Sequence, residues 1–215
     1  MKNKVLIFLF GMAFFAFSGC NSTGTKVETA ESTTTGATSK GYKQVLVLSS
    51  SPRNGGNSDL LCDEFIKGAS EAGHHVEKIN LNEKKINFLS VTDYKKAVST
   101  ADDAPGIVEK MIASDVIVMA TPTFFYAMSG QMKAMIDRTY MRHKEISDKE
   151  FYFIISAADT IKENLQPVVQ EFRGFLHALD RPVERGVIYG TGAWEKASIK
   201  ESPAMKEAYE MGKSI

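Results

Sequence analysis

The hydrophobic pattern from Tyr42 onward predicts strands that alternate with helices. Continuous apolar runs, typical of strands buried on both faces, occur at residues 44–49, 115–120 and 151–157, with a weaker run at 76–81 and a last one at 183–189. Between them, apolar residues at helical spacing predict helices at 58–72, 128–142, 161–179 and 204–213, and a short one around 107–112. This alternation favours an α/β fold, in which a five-stranded parallel sheet lies between two helical layers in a three-layer, doubly wound domain over residues 42–215.

The first 41 residues follow a different pattern. Lys2 and Lys4 precede an uncharged run at 5–17, which is too short to span a bilayer but suits the core of a signal peptide. The run leads into the sequence FSGC ending at Cys20, which resembles the lipobox of bacterial lipoproteins, whose cysteine becomes lipidated. We therefore predict a lipoprotein signal peptide at 1–19, whereas the alternative is an ordinary cleaved signal peptide with a cysteine nearby by chance.

The stretch that follows Cys20 is strongly polar. Ten of the twenty residues at 21–40 are Ser or Thr, and Val27 is their only large aliphatic residue. Such a stretch cannot bury enough apolar surface to offset its ordering entropy, so residues 20–41 are predicted to be the lipidated cysteine and a flexible tether. This organisation predicts a protein anchored by lipid to the cell membrane, facing outside the cytoplasm.

Composition narrows the classes of function. Lys plus Arg equals Asp plus Glu at 26 each, so no basic excess indicates a nucleic-acid partner. The chain has two cysteines and four histidines, and none of them has the spacing of a metal-binding motif. We therefore expect no metal site.

The loop after the first predicted strand has the composition of an anion site. Its residues 50–58 combine serines, glycines and one arginine directly before a helix, and backbone N–H groups at a helix start favour an anion. The candidate phosphate ligands are Ser51, Arg53, Asn57 and Ser58. Capping of the helix by Asn57 or Ser58 is the alternative, but it leaves Arg53 unexplained. The spacing matches neither a P-loop nor a dinucleotide fingerprint.

The loop after the third predicted strand carries three consecutive aromatic residues, Phe124, Phe125 and Tyr126. They cannot all point into one core layer, so some of them must face a ligand, a partner subunit or solvent. A flat apolar ring system would use them, whereas core or interface packing is the alternative.

Both loops resemble those of the NAD(P)H-dependent FMN reductase branch of the flavodoxin-like superfamily. The matching stretches are VLVLSSSPRNGGNSDLL, ASDVIVMATPTFFYAMSGQMKAMIDR and VIYGTGAWEK. The resemblance implies a flavodoxin-like fold and FMN as cofactor, with the phosphate held by Ser51, Arg53, Asn57 and Ser58. It implies that the flavin is lined by Pro122, Thr123, Phe124, Phe125 and Tyr126, and that Ala158 and Asp159 close the far edge of the ring. Many relatives carry clustered cysteines for an iron–sulfur centre, but residues 86–96 contain none, which excludes that centre.

The function that follows is that of an FMN-dependent oxidoreductase with NAD(P)H as electron donor. It would transfer electrons to a quinone, a flavin or another small acceptor, and its redox partner is either a small molecule or a protein. A membrane-tethered flavodoxin-like electron carrier without a nicotinamide site is one alternative, and a cofactor-free binding domain of the same fold is another. Homodimerisation is left open.

Overall fold

The computed structural model describes residues 41–90 and 102–215. The predicted signal peptide, the Cys20 anchor and the tether lie outside the described residues. The strands are β1 Gln44–Ser49, β2 His75–Asn80, β3 Val116–Pro122, β4 Glu150–Ser156 and β5 Val183–Gly190, and the helices are α1 Asn57–Glu71, α2 Ala104–Ala113, α3 Gly130–Arg138, α4 Gln166–Ala178 and α5 Pro203–Lys213. Within these two stretches, no helix combines the length and the apolar character needed to cross a membrane.

The five strands form one parallel sheet in the order β2-β1-β3-β4-β5. Helices cover both of its faces, as successive residues of β4 show. Tyr152 lies edge-to-face against Phe65 of α1, with ring centroids 5.2 Å apart, whereas Phe153 stacks on Phe172 of α4 at 4.6 Å. The core on one face is built with α1 and α5, and the core on the other with α2, α3 and α4. The predicted three-layer, doubly wound α/β fold is therefore confirmed.

Two helices begin later than the hydrophobic pattern predicts. The helix predicted at 128–142 is α3, which begins at Gly130 because the Ser129 side chain accepts a hydrogen bond from the backbone N–H of Met132 and caps it. The helix predicted from residue 161 is α4, which begins at Gln166 after a 3₁₀ turn at Lys162–Leu165 and has a proline in its first turn. Proline lacks a backbone N–H. It is tolerated in the first turn of a helix because the N–H groups there have no acceptor within the helix.

The carboxyl ends of β1, β3 and β4 bring the three predicted ligand loops to one edge of the sheet. The backbone N–H of Ser50 donates to the Ala120 carbonyl at 2.9 Å, and that of Thr123 donates to the Ser156 carbonyl at 2.8 Å. Strand order reverses between β1 and β3, and ligands of open α/β sheets bind at such a switch point. The fold therefore places the ligand loops where a site is expected.

Candidate functional site

A cleft of about 600 Å³ opens at this edge of the sheet. Loops that follow β1, β3, β4 and β5 supply its walls, and the lining residues are Ser51, Pro52, Arg53, Asn57, Ser58, Pro122, Thr123, Phe124, Phe125, Ser156, Ala157, Ala158, Ala193, Trp194 and Glu195. All the residues predicted for the site are among them except Tyr126 and Asp159. Arg53 and Glu195 are the only lining residues with ionisable side chains. The cleft is thus charged only at those two positions.

The start of α1 carries hydrogen-bond donors without a partner. Gly56 occupies the N-cap position, and no side chain caps the helix there. The first N–H groups of a helix have no acceptor inside the helix, so those of the first turn are available to a ligand. Ser58 lies in this turn, and its hydroxyl is buried without a hydrogen-bond partner among the residues that the structure describes. An unpaired buried hydroxyl at an uncapped helix start fits an anionic ligand.

The loop before α1 is a tight turn around the carbonyl of Arg53. This carbonyl accepts hydrogen bonds from the Ser51 hydroxyl and from the N–H of Gly56, each at 2.8 Å. A side chain at position 56 would overlap the Ser51 hydroxyl, so the turn requires glycine there. The exposed Arg53 side chain makes no ion pair with any residue that the structure describes, and it is available to an anion at the helix start.

Asn57 uses its side chain to hold another loop. Its amide group donates to the carbonyls of Ala193 at 3.0 Å and Glu195 at 2.8 Å, and its carbonyl oxygen accepts from the N–H of Ile199 at 3.3 Å. Both side-chain donors are therefore occupied, and the backbone N–H of Asn57 is what remains for a phosphate. The side chain fastens the segment between β5 and α5 to residues 50–58, the loop predicted to bind phosphate (the phosphate loop).

A buried carboxylate, Asp59, supports the same loop from below. It accepts hydrogen bonds from the N–H of Gly55 at 2.9 Å and the hydroxyl of Ser49 at 3.1 Å, and it pairs with Lys78 at 2.6 Å. Burial alone would raise the pKa of Asp59, but the hydrogen bonds from Lys78, Gly55 and Ser49 outweigh it and hold the pKa below its ordinary value. Asp59 is therefore ionised at neutral pH. The sequence reasoning missed this residue because it lies inside the predicted helix.

The aromatic loop is a turn in a strained conformation. Phe124 and Ala127 pair across it, and the two residues between them have positive φ angles of 52° at Phe125 and 60° at Tyr126. Left-handed backbone at a bulky residue costs energy and persists where surrounding contacts enforce it. Phe125 is completely exposed, and Phe124 and Tyr126 are half exposed. Burial in the core therefore does not explain the three aromatic residues.

The loop after β4 holds this turn in place. The Tyr126 hydroxyl donates to the Asp159 carboxylate at 3.0 Å, and this bond raises the pKa of Tyr126. The same carboxylate accepts from the N–H of Ile161 at 2.8 Å and the amide of Asn164 at 2.9 Å, and these bonds lower the pKa of Asp159. Tyr126 and Asp159 thus support the cleft from outside rather than line it.

Trp194 forms a wall that the sequence reasoning did not assign. It is the only tryptophan of the chain and is 74% exposed, although the backbone around it is firmly held. The N–H of Ala193 donates to the Ala157 carbonyl at 2.7 Å, and that of Gly192 donates to the Asp159 carbonyl at 2.8 Å. The stretch VIYGTGAWEK could have indicated Trp194 as a site residue, because its tryptophan follows the glycines at the end of a predicted strand.

Other parts of the described chain are weaker candidates for a functional site. A second groove, of about 390 Å³, lies between α3 and α4 and is mostly apolar. Cys62 is buried in α1, and burial raises the pKa of its thiol to about 12, so it is not a reactive thiolate. Among the residues that the structure describes, no group of three or more His, Cys, Asp or Glu is placed to hold a metal ion.

Comparisons with known proteins agree with this geometry. The putative NAD(P)H-dependent FMN-containing oxidoreductase YwqN of Bacillus subtilis is 22% identical over 178 residues, which cover 77% of this chain and 94% of that protein. Among solved structures, an NAD(P)H:quinone oxidoreductase from Methanothermobacter marburgensis has a TM-score of 0.62 at 18% identity, covering 81% of this chain and 97% of that one. An FMN-dependent NADH-azoreductase from Bacillus anthracis, in complex with FMN, has a TM-score of 0.65 at 11% identity, covering 80% and 98%. At these identities the structures show a shared fold.

The match to a family model settles the family. The model of the family described as NADPH-dependent FMN reductase matches residues 44–189, which run from the first residue of β1 into β5 and include the phosphate loop and the aromatic loop. The chain therefore belongs to the NADPH-dependent FMN reductase family and is an oxidoreductase.

Proposed function

We propose that the cleft binds one FMN and that the protein passes electrons from NAD(P)H, or from a donor in the membrane, to a small acceptor. The observation that supports this best is the buried Ser58 hydroxyl, which lies at the start of α1 and has no hydrogen-bond partner within residues 41–90 and 102–215. It lines the same cleft as Phe124 and Phe125. One end of the cleft is therefore suited to a phosphate and the other to a flat ring.

The residues present fit FMN in size and chemistry. A volume of about 600 Å³ lies within the range of small-molecule sites, roughly 300–1,000 Å³. N–H groups of the first turn of α1, the Ser58 hydroxyl and the Arg53 guanidinium would bind the phosphate. Pro122, Thr123 and the aromatic residues would flank the ring.

Bound FMN supplies the hydride and electron transfer, while the chain supplies binding, orientation and exclusion of water. With Arg53 assigned to the phosphate, Glu195 is the one remaining ionisable side chain that lines the cleft. The wall that faces a second substrate is then formed chiefly by Phe125, Trp194 and Ala158. We therefore expect an uncharged, planar acceptor, such as a quinone or riboflavin.

Binding of FMN and of riboflavin tests the proposal, because riboflavin has the ring but lacks the phosphate. We expect purified protein to take up one FMN per chain. An Arg53→Ala, Ser51→Ala variant should lose more affinity for FMN than for riboflavin. Equal losses for both ligands would contradict the assignment of the phosphate loop, and protein that cannot be loaded with FMN would refute the function.

We also propose that the protein is lipid-anchored through Cys20 and faces outside the cytoplasm. This rests on the apolar run at 5–17, the FSGC sequence and the polar stretch at 21–40. Mass spectrometry of the membrane fraction should find Cys20 acylated, and a Cys20→Ala variant should accumulate as precursor or be released. Unmodified Cys20 in a soluble mature protein would reject the anchor.

The anchor favours a donor in the membrane over free NAD(P)H, because tethering raises the effective concentration of a membrane partner without a tight interface. We expect slow reduction by NAD(P)H and faster reduction by a membrane quinol or redox protein. Anaerobic stopped-flow bleaching of the flavin with each donor measures this. Rapid reduction by NADPH and none by membrane donors would indicate a conventional reductase.

A further inference from the structure

Asp59 places a negative charge next to the phosphate loop, which is proposed to bind an anion. It is the third residue of α1 and is only 7% exposed. Its hydrogen bond from the N–H of Gly55 holds that residue in the left-handed conformation, with φ at 65°, that the turn requires. The carboxylate therefore shapes the phosphate loop from beneath.

The position of this carboxylate creates an electrostatic conflict. Asp59 lies in the same first helical turn as Ser58, a residue that lines the cleft. Like charges that lie close together repel each other more strongly where water is partly excluded. An uncompensated carboxylate would oppose the binding of a phosphate there.

Lys78 of β2 lies against the carboxylate. Its ammonium group is 2.6 Å from a carboxylate oxygen of Asp59 and 2.6 Å from one of Asp63. Asp63 is largely exposed, whereas the side chains of Lys78 and Asp59 are 25% and 10% exposed. Screening by water is weaker for the pair with Asp59, so that pair carries the larger electrostatic effect.

The residues that follow Lys78 support the same loop. The side-chain amide of Asn80 donates to the side chain of Asn54 at 2.9 Å. That of Asn82 donates to the backbone carbonyl of Pro52 at 3.4 Å. Residues at the end of β2 and just after it therefore support the phosphate loop, and Lys78 is the charged residue among them.

We propose that Lys78 is a positioning residue for phosphate binding: it neutralises Asp59, so that the carboxylate can hold Gly55 without repelling the FMN phosphate. This inference rests on the proposed function. Lys78 does not line the cleft and acts through Asp59.

Both partners are ionised at neutral pH. Burial would lower the pKa of Lys78, but its hydrogen bonds to Asp59 and Asp63 outweigh burial and raise the pKa above its ordinary value. Besides Asp63, the other titratable group near the pair is the buried Cys62 thiol, which stays protonated. The pair is thus an ion pair under the conditions in which FMN would bind.

A mutant cycle tests this role. Dissociation constants for FMN and riboflavin are measured at pH 7 for the wild type, Lys78→Met, Asp59→Asn and the double variant. Lys78→Met should weaken FMN binding at least tenfold and change riboflavin binding less than twofold. The double variant should return to within threefold of the wild type, because the asparagine oxygen still accepts from Gly55 but carries no charge.

Lys43→Met is the matched control. Lys43 also forms a partly buried ion pair, with Glu150 at 2.9 Å, and the two side chains are 32% and 19% exposed. It lies just before β1, at the opposite edge of the sheet from the cleft. This variant should alter stability but leave the ratio of FMN to riboflavin affinity unchanged.

A double variant that binds FMN as weakly as Lys78→Met would overturn the proposal, since a merely structural lysine would not be rescued by removing a charge elsewhere. If Lys78→Met does not fold, Asp59→Asn alone decides: FMN affinity equal to or above that of the wild type supports the proposal, and a selective loss of FMN affinity refutes it. A wild type that binds riboflavin as tightly as FMN would instead refute the assignment of the phosphate loop under the proposed function.

Discussion

Replacing Ser58 with alanine is expected to change the stability of the cofactor-free protein and the affinity for FMN in opposite directions. In the described part of the chain, the buried Ser58 hydroxyl has no hydrogen-bond partner. An unsatisfied buried polar group costs about 1–3 kcal/mol. Alanine removes that cost and leaves only a small gap. We therefore expect the free energy of unfolding to rise by about 1 kcal/mol, which corresponds to roughly 2–4 °C in Tm for a domain of this size.

The same substitution should weaken FMN binding. A hydrogen bond to a charged group contributes about 1.5–3 kcal/mol, and every 1.4 kcal/mol corresponds to a factor of ten in Kd. If Ser58 donates to the phosphate, its loss should raise the Kd for FMN by roughly 10- to 150-fold. Riboflavin lacks the phosphate, so its Kd should stay within about twofold of the wild-type value.

Thermal unfolding of the cofactor-free protein and fluorescence titration with both flavins measure the two effects. Ser70→Ala is the control, because Ser70 lies in the same helix but is exposed and far from the loop. Unchanged FMN affinity in Ser58→Ala, or an equal loss for riboflavin, would refute the phosphate role. A clear loss of stability without cofactor would show that the hydroxyl has a structural partner.

Three further predictions concern other residues. FMN should quench the emission of Trp194 and saturate at one equivalent, and unchanged emission would place the flavin away from that wall. Gly68→Ala should lower the free energy of unfolding by about 1–3 kcal/mol, because a methyl group there would overlap the Tyr209 carbonyl of α5. Urea denaturation measures this, and unchanged stability would contradict the contact. In a Cys20→Ser variant, Cys62 should react with Ellman's reagent at pH 8 only after denaturation, and rapid reaction of the folded protein would contradict its burial.

The strands were predictable because buried parallel strands leave long apolar runs in the sequence. All five appear within two residues of the predicted limits, including the less apolar β2. Helix starts were harder to place, since they depend on single local contacts. The cap by Ser129 shortens α3, and a proline in the first turn sets the start of α4, whereas the apolar spacing continues through both boundaries.

The loops of the site could be predicted, but the partners of their side chains could not. Asn57 belongs to a stretch whose composition indicates a phosphate site, yet its side-chain amide bonds to residues 136 and 138 positions further along the chain. Asp59 of α1 forms an ion pair with Lys78 of β2, and the charge pattern of one helix does not predict a contact with another element. Composition therefore predicted which loops line the cleft, whereas the hydrogen-bond partners of their side chains depend on tertiary contacts.

These contacts explain how a chain with few ionisable groups in its cleft serves redox chemistry. Asn57 fastens the Trp194 segment to the phosphate loop, and Asp159 fastens the aromatic turn to the loop after β4. Two walls of the cleft are thus each held by a residue from a different loop, and the bond between Tyr126 and Asp159 helps to sustain the strain at Phe125 and Tyr126. Since a flavin supplies the reactive atoms, the protein contributes a cleft whose lining has few ionisable side chains. We therefore expect selectivity for donor and acceptor to depend chiefly on the exposed aromatic residues that line the cleft, Phe125 and Trp194.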